Sequence, residues 1–241
     1  AIPQVLAGRR PCTRTRRTGD DAVDPLAVRL GDRGYHTEAM MTGPLVAETG
    51  LDRGFDVYDH REEDESLFGD WRATAADRLS SLPEPFAAVV HLWELHEDIH
   101  VPADYDDPAY GETPYERALS ALDPELRALV DAVPEDTAVA VVGDHGESIT
   151  HRHSLLRLAV KSLRDGLKYY AGVDTRPLVE RLNRAADDWG PDLDDHFIEN
   201  GHGENVFDFT TNVPFVLAGP GVPAGTVDVQ ARQIDVLPTI L

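Results

Sequence analysis

An α/β fold with a mostly parallel central sheet is what this sequence predicts, and three observations carry it. The first is an order of elements. An apolar run at 86–92 is followed by an amphipathic stretch at 115–133 and a second apolar run at 138–143. Strand, helix, strand in that order implies a right-handed crossover and parallel neighbours, so 86–92 is expected to pair with 138–143. The second is the composition of the later run, Ala138-Val-Ala-Val-Val-Gly143. Its β-branched residues do not alternate with polar ones, which reads as a fully buried strand. The third is length: 241 residues are enough for one large core.

The remaining elements follow in chain order. Residues 22–33 read as a helix, because Val23, Leu26, Ala27 and Leu30 keep the 3.6-residue period. Gly31 and Gly34 end it, and 36–41 forms a short strand. Residues 59–65 have no apolar content and read as an acidic loop, and 67–82 as a helix. Within 115–133, Leu119, Leu122, Leu126, Leu129 and Val130 share one face. Stretches 155–170 and 175–189 are helical, 213–222 is an apolar strand closed by a Gly/Pro turn, and 233–241 begins a helix. No internal repeat or low-complexity segment interrupts this order.

Charge excludes some functions. The chain carries a net charge of -22 and a pI near 4.6. Lys161 and Lys168 are its only lysines. Nucleic-acid binding needs a basic face, so nucleic acid is not an expected partner. The acidic, lysine-poor pattern resembles proteins of salt-in halophiles. A dense carboxylate surface repels itself at low ionic strength, and salt screens it. The melting temperature is therefore expected to rise from low to molar KCl, and a flat or falling trend in thermal melts would contradict that reading. The single cysteine, Cys12, excludes an internal disulfide. No run of 18 apolar residues is present, so no membrane span is expected. With no signal peptide visible, the cytoplasm is the default compartment.

Chemistry is delivered where the 138–143 strand ends. Asp144 and His145 follow at once, and Gly146 then allows a tight turn. In open α/β sheets, ligands sit beyond the carboxyl ends of the strands. A carboxylate beside an imidazole suits Zn, Mn or Fe, and the carboxylate also suits Ca or Mg. The competing reading is a strand end with an Asp helix cap. Glu147 has a similar alternative, a favourable charge near a positive helix end.

Ordered motifs give a resemblance. Asp144-His-Gly-Glu147 is followed by Gly201-His-Gly-Glu204, then by Val213-Pro-Phe-Val-Leu-Ala-Gly-Pro-Gly221, then by Asp235-Val-Leu-Pro-Thr239. Upstream lie His91-Leu-Trp-Glu-Leu-His96, and Gly34-Tyr-His-Thr37 with Gly50-Leu-Asp-Arg-Gly-Phe-Asp56. This set resembles the sulfatase family of the alkaline phosphatase superfamily over nearly the whole chain. The resemblance implies an alkaline-phosphatase-like three-layer fold and one partial catalytic domain, 1–241. It implies Asp144 and His145 as ligands of a divalent cation, Ca, Mn, Mg or Zn. It implies His96 as a substrate-contacting residue and His202 as the downstream residue near the metal. An imidazole titrates near neutrality and can donate to an ester oxygen or leaving group. His91 is equally well a packed core histidine, while His100, His151 and His153 read as solvated.

Departures from the family pattern shape the functional expectation. Ile2-Pro-Gln-Val-Leu-Ala-Gly-Arg-Arg-Pro11 is similar to the family helix that follows the catalytic Cys or Ser. The nucleophile and the first acidic strand are therefore expected upstream of Ala1, leaving this N-terminally truncated chain weakly active alone. Cys12 lacks the family's nucleophile context, because Arg14 stands where Pro is expected. Asp20 and Asp21 recur as an acidic pair without the preceding strand. More than 50 residues part Glu147 from His202, so 148–200 is expected to be a helical insertion, a lid or substrate wall. The expected activity is metal-dependent hydrolysis of a small-molecule or carbohydrate sulfate ester. The alternatives are a phosphodiesterase or phosphotransferase of the same superfamily, or an inactive metal-binding remnant.

Overall fold

Strand β1 (His36–Thr42) sits at the centre of the sheet in a computed structural model that describes residues 24–96, 99–147, 155–187 and 208–241, together with Leu6. From Thr37 to Thr42 every residue is buried. β2 (Val57–Arg61) and β3 (Phe86–Val90) flank β1, both parallel, with Met40 opposite Asp59 on one side and Val90 on the other. A parallel strand covered on both faces has no solvent side to alternate toward. Its two faces serve different cores.

One face meets helices. After α1 (Leu26–Gly31) come α2 (Trp71–Ser80) and α3 (Pro114–Asp131). Met40 joins Leu67, Trp71, Ala75, Leu79, Leu122 and Leu129, with Ala88 and Val90 of β3 beside them. On the opposite face, Ala39 and Met41 pack against Leu6, Leu45, Leu51, Phe55 and Tyr58, with Val89 of β3 beside them. Alternation along β1 and β3 thus separates two apolar layers and gives the three-layer α/β architecture.

Several expectations need correction. Residues 59–61 are not loop but the second half of β2. Backbone pairing to buried β1 outweighs their polar side chains. Helix α3 begins where the sequence indicates: Thr113 accepts from the Glu116 N–H, Glu116 reaches back to the Thr113 N–H, and Pro114 occupies the first turn. Its buried stripe differs. Leu119 and Val130 are exposed, whereas Ala118, Ala121, Leu122 and Leu129 are buried. The reason is a second covering: the 3-10 turns Ala103–Tyr105 and Pro108–Tyr110 pack along α3, and the Ser120 hydroxyl donates to the Tyr110 carbonyl at 2.6 Å.

The largest correction concerns β4 (Val139–Val142). It does not pair with β3. It runs antiparallel to β5 (Phe215–Ala218), Val139 opposite Ala218 and Val142 opposite Phe215. Nor is it fully buried, since Val141 is 41% exposed and Val216 56%. The crossover rule applies within one sheet, and here the ladder of β4 is completed by a strand more than 70 residues away. A C-terminal helix connects this hairpin-like pair to the larger sheet, as described below.

Residues 145–214 form a second compact unit that contains the 148–200 stretch. Its described elements are α4 (Leu155–Asp165), a π-helical turn Gly166–Tyr170, α5 (Arg176–Asp187) and the short α6 (Asp208–Thr211). The helix expected over 155–170 changes form at Gly166, the residue least able to hold a regular helix apart from proline. The last helix of the chain, α7 (Gln233–Ile240), belongs to the first unit. Its Leu237 packs with Leu26 and Leu30 of α1, beside Ala87 of β3. Cys12, Asp20, Asp21, His151, His153 and His202 lie outside the described residues. Among the described residues, no helix is long and apolar enough to cross a membrane.

Tyr58 makes the second core pH-sensitive. Its hydroxyl donates to the Leu45 carbonyl at 2.6 Å. Burial, with a smaller push from Asp52, raises its pKa from 10.0 to about 12. The folded state thus prefers the neutral phenol. That preference contributes fully below pH 10.0 and is lost as the pH climbs toward about 12. Tyr58→Phe, which cannot ionise, is expected to flatten the stability loss across this window in alkaline thermal melts.

Candidate functional site

The carboxyl ends of β1 and β3 converge on one loop. The His91 N–H extends the ladder, donating to the Met40 carbonyl at 2.8 Å. Two residues on, the Trp93 ring lies against Gly43, which follows β1. A Cβ at Gly43 would stand 2.6 Å from Trp93, and its φ of +64° is itself unfavourable for any other residue. The Trp93 ring in turn stacks on His96, with centroids 3.7 Å apart and planes 15° apart. The His96 N–H donates to the Trp93 carbonyl at 3.0 Å. The expected catalytic imidazole is therefore held in one orientation by an aromatic wedge. His91 is half-buried at the strand end, its ring 5.9 Å from that of Trp93. His100 is exposed.

A buried ion pair pins this loop. Glu94 and Arg61 each expose 2% of their side chains, and Arg61 Nη2 lies 3.1 Å from Glu94 Oε1. Glu94 also accepts the Leu67 and Trp93 N–H groups, each at 2.8 Å, and the Ser66 hydroxyl at 3.3 Å. Arg61 stacks over Trp71 at 4.1 Å. Burial pushes the Arg61 guanidinium down, and the facing Glu94 carboxylate opposes that. His60 of β2 lies 2.9 Å from the Gly43 carbonyl. None of Gly43, Arg61 and Glu94 stood out in the sequence. Trp93 was legible only as the middle of His91-Leu-Trp-Glu-Leu-His96.

The motif pair near the start of the chain has a different role. Thr37 donates its N–H to Asp56 Oδ2 at 2.8 Å, and Asp56 returns its own N–H to Thr37 Oγ1 at 3.0 Å. The Thr37 N–H, and after it the Thr37 hydroxyl, hold the Asp56 carboxyl below its usual range. Both residues sit at the amino ends of β1 and β2, away from the loop that carries His96. They set the register of the sheet.

At the end of β4, Asp144 is half-buried. Gln233, the first residue of α7, donates its side-chain amide to the carbonyls of Gly143, at 3.2 Å, and Asp144. One helix thus holds the exit of β4 while its Leu237 grips the larger sheet. In the second unit, His145 Nδ1 lies 3.0 Å from the Gly146 carbonyl. A carbonyl oxygen only accepts, so a hydrogen bond here is donated by Nδ1, and Nε2 is the nitrogen that would meet a cation. That is the arrangement of a metal-binding imidazole, whose other nitrogen donates to a carbonyl. Gly146 is there for close approach. Its N–H donates to the Thr210 carbonyl at 2.9 Å, and a Cβ would lie 1.8 Å from the Phe209 carbonyl oxygen. Among the described residues, no group of three His, Cys, Asp or Glu is placed to hold a metal ion.

The sulfatase family model matches residues 21–241. The chain belongs to the sulfatase family. Divalent-metal dependence is typical of this family. Two solved structures are similar to this sulfatase-family chain. One is a protein in the alkaline phosphatase superfamily from Vibrio parahaemolyticus, with 18% identity and a TM-score of 0.59, covering 99% of this chain and 52% of that one. The other is the lipoteichoic acid synthase LtaP from Listeria monocytogenes, with 18% identity and a TM-score of 0.57, covering 98% of this chain and 57% of that one. At such identities the likeness shows the fold alone. The sulfatase-family chain spans about half the length of these two proteins. No curated protein matches it.

Proposed function

We propose that this chain forms part of the catalytic domain of a metal-dependent hydrolase of sulfate esters. The observation that carries the reading is the His145 ring, whose Nδ1 lies 3.0 Å from the Gly146 carbonyl, the kind of bond that orients a metal-binding imidazole. Asp144, the preceding residue, supplies the oxygen donor of the same set. Asp144 and His145 would hold the cation, which when bound neutralises charge developing on the non-bridging ester oxygens. His96, kept in place by Trp93, is assigned to contact the ester and donate a proton toward its leaving oxygen. His202 is assigned from its motif alone, as the downstream residue near the cation. The expected substrate is a small-molecule or carbohydrate sulfate ester.

Titration calorimetry with Mn, Ca and Zn tests the cation directly and needs no turnover. Asp144→Ala and His145→Ala are each expected to weaken binding about tenfold or more. Unchanged affinity in both variants would overturn the assignment. Assays with an aryl sulfate and a bis-aryl phosphate then decide the ester class: preference for the phosphate diester would replace sulfate hydrolysis with phosphoryl chemistry.

A further inference from the structure

The sign of the charge reverses in one part of the chain. Overall, 44 acidic residues face 22 basic ones, but residues 155–187 hold seven basic and four acidic, and both lysines of the chain. Some of that charge is spent internally. The Arg164 side chain is buried on Asp165 at 2.6 Å, and Arg176 is matched by Asp174 at 2.7 Å. Lys161, Lys168 and Arg181 remain as cationic positions, Lys168 and Arg181 exposed.

The same segment also exposes large apolar side chains. Leu163 is 62% exposed, Tyr169 63%, Tyr170 93%, Val173 46% and Leu178 44%. These residues run from the last turn of α4 through the π-helical turn to the start of α5. The Lys168 ammonium lies 4.8 Å over the Tyr169 ring. Cation, aromatic ring and aliphatic side chain are thus presented together in one short segment. Large apolar side chains exposed this densely along one segment point to a contact site.

We infer that this segment docks on an anionic lipid bilayer. Charge complementarity calls for an anionic partner, and the aliphatic residues select among anionic partners. A soluble polyanion would meet the lysines and tyrosines but leave Leu163, Val173 and Leu178 in water. An acidic face of a second copy would do the same. A bilayer interface offers phosphate headgroups to the lysines, the boundary layer to the tyrosines and acyl chains to the aliphatic groups. Repulsion from the strongly acidic remainder of the chain is weakened by salt, with a screening length of about 8 Å at physiological ionic strength. The inference is independent of the ester assigned to the catalytic site.

The test is sedimentation of the chain with extruded vesicles, either pure phosphatidylcholine or equal parts phosphatidylcholine and phosphatidylglycerol. Binding to the anionic vesicles is expected to exceed binding to the neutral ones by about tenfold or more. Leu163→Ser combined with Tyr170→Ser is expected to remove a similar factor, and Lys168→Glu to weaken the dependence on salt. Hydrogen exchange on the unsubstituted chain gives a second reading, with slowing over 163–178 when anionic vesicles are added. Equal sedimentation of parent and variants overturns the inference. So does retention on dextran sulfate without vesicle binding, which would make the surface a polyanion site. A concentration-dependent dimer lost in the same variants would make it a contact between copies, and also overturns it.

Discussion

Glu94→Ala is expected to lower stability by about 3–5 kcal/mol, because it strands a buried guanidinium. Arg61 and Glu94 lie 33 positions apart and expose 2% of each side chain. Removing the carboxylate also leaves the Leu67 and Trp93 N–H groups without the acceptor 2.8 Å away. Arg61 has no second carboxylate within bonding distance among the described residues to turn to. The reciprocal test is the double variant Arg61→Met with Glu94→Leu. It removes both charges together and is expected to recover most of the loss, since an apolar replacement of a buried pair is often close to neutral. Urea denaturation of the parent, both single variants and the double variant measures the cycle. A single-variant loss under about 1 kcal/mol, the level of an exposed pair, would mean that water reaches the site. The effect should extend to His96, because Glu94 fixes Trp93 and Trp93 fixes the imidazole.

Gly146→Ala is expected to cost about 3 kcal/mol and to weaken divalent-cation binding about tenfold or more. A Cβ there would stand 1.8 Å from the Phe209 oxygen, 2.8 Å from the Phe209 carbonyl carbon and 3.1 Å from Thr210 Cα. All three atoms are backbone, so no rotamer change relieves the contact. Either the turn after β4 or the segment at 209–210 must shift, and His145 shifts with the turn. Gly31→Ala is the control. It adds the same methyl group at the end of α1, where nothing lies within 4 Å. That change is expected to be neutral or to stabilise by about 0.5–1 kcal/mol through the unfolded chain. Thermal melts and titration calorimetry on both variants separate the clash from a general effect of losing a glycine.

Much of this protein is written locally. The capping box at Thr113 and Glu116, the apolar run of β4 and the Asp144-His-Gly turn after it all lie within a few residues of what they specify. Steric limits on the backbone and the periods of helix and strand make such features readable one segment at a time. The order of motifs added the family, and with it the layers of the fold.

Pairing was decided elsewhere. Nothing in Val139–Val142 says that its ladder is completed by Phe215–Ala218 and not by Phe86–Val90, because an apolar strand satisfies either partner. Asp59 and His60 became strand residues only because β1 lay beside them with unpaired backbone groups. Arg61 reads as one charge in an acidic stretch until folding brings Glu94 and Trp71 to it. Gly43 looks like any turn glycine until Trp93 lies against it. Each of these depends on residues far apart in the chain, whose contact energies leave no trace in the local pattern. The sequence by itself determined the family and the residues proposed for its chemistry; the tertiary structure decided which of the described ones are held, and by what.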